Sequence, residues 1–86
     1  FETQAHSVLS NIKTILEDAG TSMENVVDVT VFLTNMKDDF QTFNTVYKEY
    51  FKEDQPARTT VEVTALPTPI AIELKCIAVI KPEKGA

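Results

Sequence analysis

Apolar residues recur at three- and four-residue steps from the start of the chain. Ala5, Val8, Leu9, Ile12, Ile15, Leu16 and Ala19 gather on one face of a helix, with His6, Ser10, Lys13 and Glu17 opposite. Gly20 ends the period and supplies a C-terminal stop. SMEN reads as a turn, with Ser22 as its cap. From Val26 to Leu33 the period drops to two: Val27, Val29, Val31 and Leu33 share one side of a strand, and Asp28, Thr30 and Phe32 the other. Asp38 or Asp39 caps a second helix, whose apolar stripe is Phe40, Phe43, Tyr47, Tyr50 and Phe51. Pro56 blocks its continuation. Two strands follow, Thr59 to Leu66 and, after PTP, Ala71 to Ile80. In the last one Ile72, Leu74, Cys76, Ala78 and Ile80 fill one face, and Ile77 and Val79 make the far end of the other apolar too. A strand apolar on both faces belongs in the middle of a sheet.

The order helix–strand–helix–strand–strand predicts an α/β (α+β) sandwich, with two helices on one face of a mixed sheet and the last strand central. The strand–helix–strand unit crosses over right-handed, leaving its two strands parallel. The final two strands, joined only by PTP, run in opposite directions. Residues 1–86 read as a single domain without repeats or a linker. A domain this short buries only about 60–65% of the surface its unfolded chain exposes, so a partner subunit would add to a modest core.

Composition removes several function classes. Thirteen acidic residues face eight basic ones, for a net charge of −5, and the basic residues are scattered singly. The basic stripe that marks nucleic-acid binding is absent from the sequence. No apolar run approaches the roughly 20 residues of a membrane span. FETQAHSVL lacks the basic start and long apolar stretch of a signal peptide. The single cysteine, Cys76, permits no internal disulfide and fits a reducing compartment. The reading places the protein in the cytoplasm, with the mitochondrial matrix as the alternative.

Most candidate chemistry has a plainer explanation. One His and one Cys, seventy positions apart, argue against a metal site. Gly20 and Gly85 are too few for a phosphate-binding loop. His6 lies on the polar helix face and reads as solvated, which leaves no support for a Ser–His–Asp arrangement. Cys76 points with Leu74 and Ile80 and reads as a small buried hydrophobe. The aromatic stripe of the second helix reads as core rather than as a cofactor box.

Two charges remain unexplained. Arg58 opens a strand, on the same side as Thr60 and Glu62, and Glu73 sits between Ile72 and Leu74 in an apolar strand. A carboxylate there is costly to desolvate unless something pairs with it. Around these two residues, PAR at Pro56–Arg58, VEVTALP, and IEL at Ile72–Leu74 resemble the signature of the RidA family, also called the YjgF family, of enamine/imine deaminases. QAHSVLSNIKTILEDAG, VVDVTVFLTNM, FNTVYKEYF and IELKCIAVI extend the resemblance over nearly the whole chain.

The resemblance implies a chorismate-mutase-like fold and a homotrimer with ligand clefts between subunits. It implies hydrolysis of 2-aminoacrylate-type intermediates to 2-keto acids and ammonia, with no metal or organic cofactor. Arg58 would hold the substrate carboxylate through a planar, bidentate fork. Glu73 would position the attacking water, and Asn44 would line the same site. Thr60 stands where many members have cysteine, which bears on substrate choice and brings a branch acting on 2-aminomuconate into view. The family's chain begins with further strands that this sequence, which lacks an initial Met, does not include. A non-catalytic trimer that binds a small molecule is the rival reading; a ribonuclease role is disfavoured by the acidic charge. Thr64 is expected level with Glu73, roughly 20 Å from Arg58 at about 3.3 Å per residue, so one site using both charges would draw them from different subunits.

Overall fold

The first period folds as helix α1, Glu2–Asp18, in the computed structural model of the chain, which describes residues 1–52 and 55–80. Ala5, Leu9 and Leu16 are buried, with Val8 and Ile12 packed beside them. Ile15, expected on the same face, is 64% exposed. At about 100° per residue it sits at the margin of an arc centred on the three buried positions. Gly20 follows at φ +88. Its N–H donates to the Glu17 carbonyl at 3.1 Å, and that of Thr21 donates to the Leu16 carbonyl at 2.9 Å, a Schellman ending.

A short 3-10 turn at Met23–Asn25 leads into β1, Val26–Leu33, with the bounds the sequence predicts. The Ser22 side chain makes no bond to the turn's backbone; its oxygen accepts from Asn25 Nδ2 at 3.3 Å instead. Strand β1 pairs in parallel with β2, Ala57–Glu62, and antiparallel with β3, Ile72–Ala78. The parallel β1–β2 pair and the opposed directions of β2 and β3 agree with the sequence reading.

Three details differ. A register shift between Val26 and Asp28 works as a bulge. It turns Val26 into the core and leaves Val27 49% exposed, so the inner set is Val26, Val29, Val31 and Leu33. Strand β2 starts before Thr59 and stops short of Leu66, because Glu62 already pairs with Leu33, the last residue of β1. Among the described strands the order is β2-β1-β3, with β1 rather than the last strand in the middle. On the second apolar face of the last strand Ile77 and Val79 are 52% and 47% exposed.

Helix α2, Met36–Tyr50, is capped by Asn35 rather than by Asp38 or Asp39. Asn35 Oδ1 accepts from the Asp38 N–H at 3.3 Å, and its Nδ2 donates to Asp38 Oδ2 at 2.9 Å. Both aspartates lie in the first turn, where the helix dipole favours negative charge. Glu62 Oε1 accepts from the Met36 N–H at 2.8 Å and ties the end of β2 to the start of α2. Phe43, Val46, Tyr47 and Phe51 are buried; Phe40 and Tyr50 pack at the margin, and Val46 joins the stripe read from the sequence. Helix α1 lies against β3 and α2, and α2 against β1, on one side of the sheet. No described helix is long and apolar enough to cross a membrane.

Candidate functional site

Strand register sorts the candidate residues by face. Arg58 is level with Val29, whose other partner is Cys76. Val29 is fully buried, so this row faces the helices. The next row inward holds Thr60, Val31 and Leu74. Glu73 is level with Phe32 and Val61, in a row of opposite parity, and its side is the open face of the sheet.

Arg58 points into the aromatic stripe of α2. Its Cζ lies 4.8 Å from the Tyr47 ring centroid, 5.6 Å from that of Phe43 and 5.8 Å from that of Phe40. The three rings, at helical spacing, attract the cation electrostatically. Among the described residues no carboxylate pairs with it. Among the described residues its donors also make no hydrogen bond.

The pocket beside it has a volume of about 240 Å³ and is lined by Asn44, Tyr47, Lys48, Gln55, Pro56 and Arg58. Asn44, Tyr47 and Lys48 reach it together because residues three and four apart share a helix face. Among the described residues, three buried side-chain oxygens here or one row away have no hydrogen-bond partner: Asn44 Oδ1, the Tyr47 hydroxyl and Thr60 Oγ1. Each such atom costs about 1–3 kcal/mol if left unpaired, so together they describe a place where a polar ligand would be stabilised. Burial pushes the Tyr47 phenol above its usual pKa, with the Arg58 charge pulling the other way.

The structure brings Arg58 and Asn44 into one pocket and puts Thr60 beside it. It leaves Glu73 exposed on the other face of the same chain. Tyr47, Lys48 and Gln55 are pocket residues that the sequence pattern did not single out. Tyr47 carried a signal: a hydroxyl in an otherwise hydrocarbon stripe needs a partner when buried. His6 is partly exposed, as a polar-face residue would be, and also meets side chains of α2. Its Nδ1 is 3.2 Å from the Tyr50 hydroxyl, and its Nε2 is 3.7 Å from Glu49 and 3.9 Å from Glu2. It joins α1 to α2, away from the Arg58 pocket. Cys76 is half-buried on the helix side, where burial pushes its thiol pKa up.

The fold is an α+β sandwich with an arginine-lined pocket between strand and helix. The profile of the family described as Endoribonuclease L-PSP matches residues 1–80. A RutC family protein of Pyrococcus abyssi is 51% identical over 75 residues, covering 87% of this chain and 58% of that protein. RidA from an Antarctic Psychrobacter superposes with a TM-score of 0.89 at 41% identity, covering 93% of this chain and 64% of its own. TdcF of E. coli, solved with bound serine, superposes with a TM-score of 0.85 at 40% identity, covering 91% and 63%. The chain thus belongs to the Endoribonuclease L-PSP family, among whose relatives are proteins named RutC and RidA, and it spans about three fifths of the length of the relatives it matches.

Proposed function

We propose that the chain is the clamp-bearing part of an enamine/imine deaminase, acting on small 2-imino acids of the 2-aminoacrylate type. The observation that carries this reading is Arg58, fixed over three aromatic rings at the edge of a small pocket whose other buried polar atoms lack partners. A bidentate guanidinium suits a carboxylate. Asn44 Oδ1 can only accept, which suits an N–H on the ligand; an imine has one and a 2-keto acid does not.

In this reading 2-aminoacrylate tautomerises to 2-iminopropanoate, and water adds across the C=N bond. The resulting carbinolamine loses its C–N bond as nitrogen takes a proton, giving pyruvate and ammonia. The imine carbon is already electrophilic, so the protein's part is to orient the substrate and the water. Arg58 holds the carboxylate, Asn44 faces the nitrogen, Thr60 bounds the pocket, and Glu73 of a second subunit in a homotrimer directs the water.

The test is the rate of ammonia release from an imino acid generated in situ by an amino-acid oxidase, measured above the uncatalysed rate. Arg58→Lys should lower kcat/KM by at least tenfold, because a point charge replaces the fork at a cost of about 1.5–3 kcal/mol. Wild-type activity in that variant would remove the clamp. A second reading, a non-catalytic carboxylate-binding protein, is favoured by the exposed position of Glu73 on the face away from Arg58, since one chain alone offers a clamp and no water-handling group. It predicts binding without ammonia release. A 2-aminomuconate-type substrate would instead show as preference for a larger dicarboxylic imine.

A further inference from the structure

The Tyr47 hydroxyl is a buried donor with no acceptor among the described residues. The residue is 3% exposed, its oxygen has no hydrogen-bond partner, and its side chain lines the Arg58 pocket. Its ring contacts do not need the hydroxyl. The ring packs on Phe43 at 5.4 Å and Phe51 at 4.6 Å, and carries the Arg58 guanidinium at 4.8 Å. Phenylalanine would make all three contacts without burying an unpaired polar atom. Tyr50, the other tyrosine of α2, does use its hydroxyl, against His6.

Burial raises the Tyr47 pKa, and the opposing pull of Arg58 is the smaller effect, so the phenol keeps its proton at physiological pH. A protonated phenol beside an open guanidinium is suited to an acceptor that carries negative charge.

We propose that the Tyr47 hydroxyl is a second hydrogen-bond donor to the carboxylate held by Arg58, and that it fixes how that carboxylate lies in the pocket. This rests on the clamp reading above and extends it by one substrate-binding residue. The guanidinium fork occupies one edge of the carboxylate through two parallel bonds. A carboxylate has about four lone-pair sites, so an oxygen remains able to accept from the phenol. The contact gives the hydroxyl a partner in a stripe where phenylalanine would pack as well.

The test uses 2-oxobutanoate, a stable carboxylate, titrated calorimetrically into wild-type, Tyr47→Phe and Tyr50→Phe chains. Tyr47→Phe should weaken binding about tenfold, while its thermal midpoint stays the same or rises because an unpaired buried hydroxyl is gone. Tyr50→Phe should leave the affinity unchanged. A Tyr47→Phe affinity within about twofold of wild type would overturn the inference. If Tyr47→Phe fails to fold, carbon-labelled tyrosine decides. The chain has two tyrosines, so Tyr50→Phe assigns the Tyr47 resonance. A ligand-induced shift of that ring carbon supports the contact, and an unmoved resonance under saturating ligand rejects it. A wild-type chain that binds no carboxylate would sink the clamp and this inference together. Binding without imine hydrolysis would sink only the deaminase reading.

Discussion

Arg58 and Glu73 stand on opposite faces of one sheet, with β1 between their strands. Arg58 is level with Val29 and Glu73 with Phe32, so three residues of β1 separate their rows. That is roughly 10 Å along the strand, plus two inter-strand spacings of about 4.8 Å across. Val61, not Thr64, is level with Glu73. The separation is shorter than the sequence implied, but the sheet itself blocks the path. No small imino acid reaches both groups within one chain.

Complementation between chains follows if both residues serve one site. Arg58→Ala and Glu73→Ala variants, each inactive alone, should regain part of the ammonia-releasing activity when unfolded and refolded together. Some interfaces would then hold one intact Arg58 and one intact Glu73. Absence of recovery in oligomers shown by mass to be mixed would exclude a shared site.

Thr60 separates stability from binding. Its Oγ1 is buried and unpaired, one row inward from Arg58. Thr60→Val keeps the shape and removes the hydroxyl, so the chain should unfold at the same or a higher temperature, with a gain of up to about 1 kcal/mol. If the hydroxyl meets the ligand, carboxylate affinity should fall by several-fold in the same variant. A clear loss of stability would mean that the oxygen already has a partner.

The elements were legible where one face of each is buried by a neighbour. Strand β1 has a helix layer on one side and pairs on both edges, so its period of two holds from Val29 onward and its bounds came out residue for residue. The bulge at Val27 was not legible, because an extra residue in a run of valines leaves the composition unchanged. The cap of α2 was misplaced because Asn35, Asp38 and Asp39 are all good caps in isolation. The choice was made by Asn35, which reaches the Asp38 N–H from the non-helical side. Among the described strands β3 pairs only with β1, and Ile77 and Val79 on its apolar far face lie open. In the site, Arg58 stood out because a cation at a strand mouth is conspicuous. Tyr47 did not, because its ring fits the core pattern and only the unpaired hydroxyl betrays a second use.

The turn after α1 gives a stability test independent of the pocket. Gly20 has φ +88, and a Cβ built there meets nothing within 4 Å. The cost of Gly20→Ala is therefore backbone strain alone, about 1–2 kcal/mol. For a chain of this length that lowers the thermal midpoint by about 4–16 °C. Gly20→Asn should cost less, because asparagine tolerates the left-handed region better. Equal midpoints for glycine and alanine would mean that the turn has a second conformation open to it.

Cys76 should be a slow thiol. It is half-buried in the row of Arg58 and Val29, yet the resolved influence on it is burial, which disfavours the thiolate and raises its pKa. The thiolate is the form that alkylates. At neutral pH the native chain should therefore react with iodoacetamide more slowly than the urea-unfolded chain. Its rate should keep rising with pH beyond the point where the unfolded thiol has levelled off. The sign for stability follows: below the ordinary thiol pKa both states are protonated and Cys76 adds no pH dependence. Above it the unfolded state ionises first, so this residue contributes a loss of stability as pH rises. Cys76→Ser, which does not ionise in that range, should remove that part of the alkaline decline. A native alkylation rate equal to the unfolded one at every pH would show that the thiol is not held by the core, and would place it among the groups free to react.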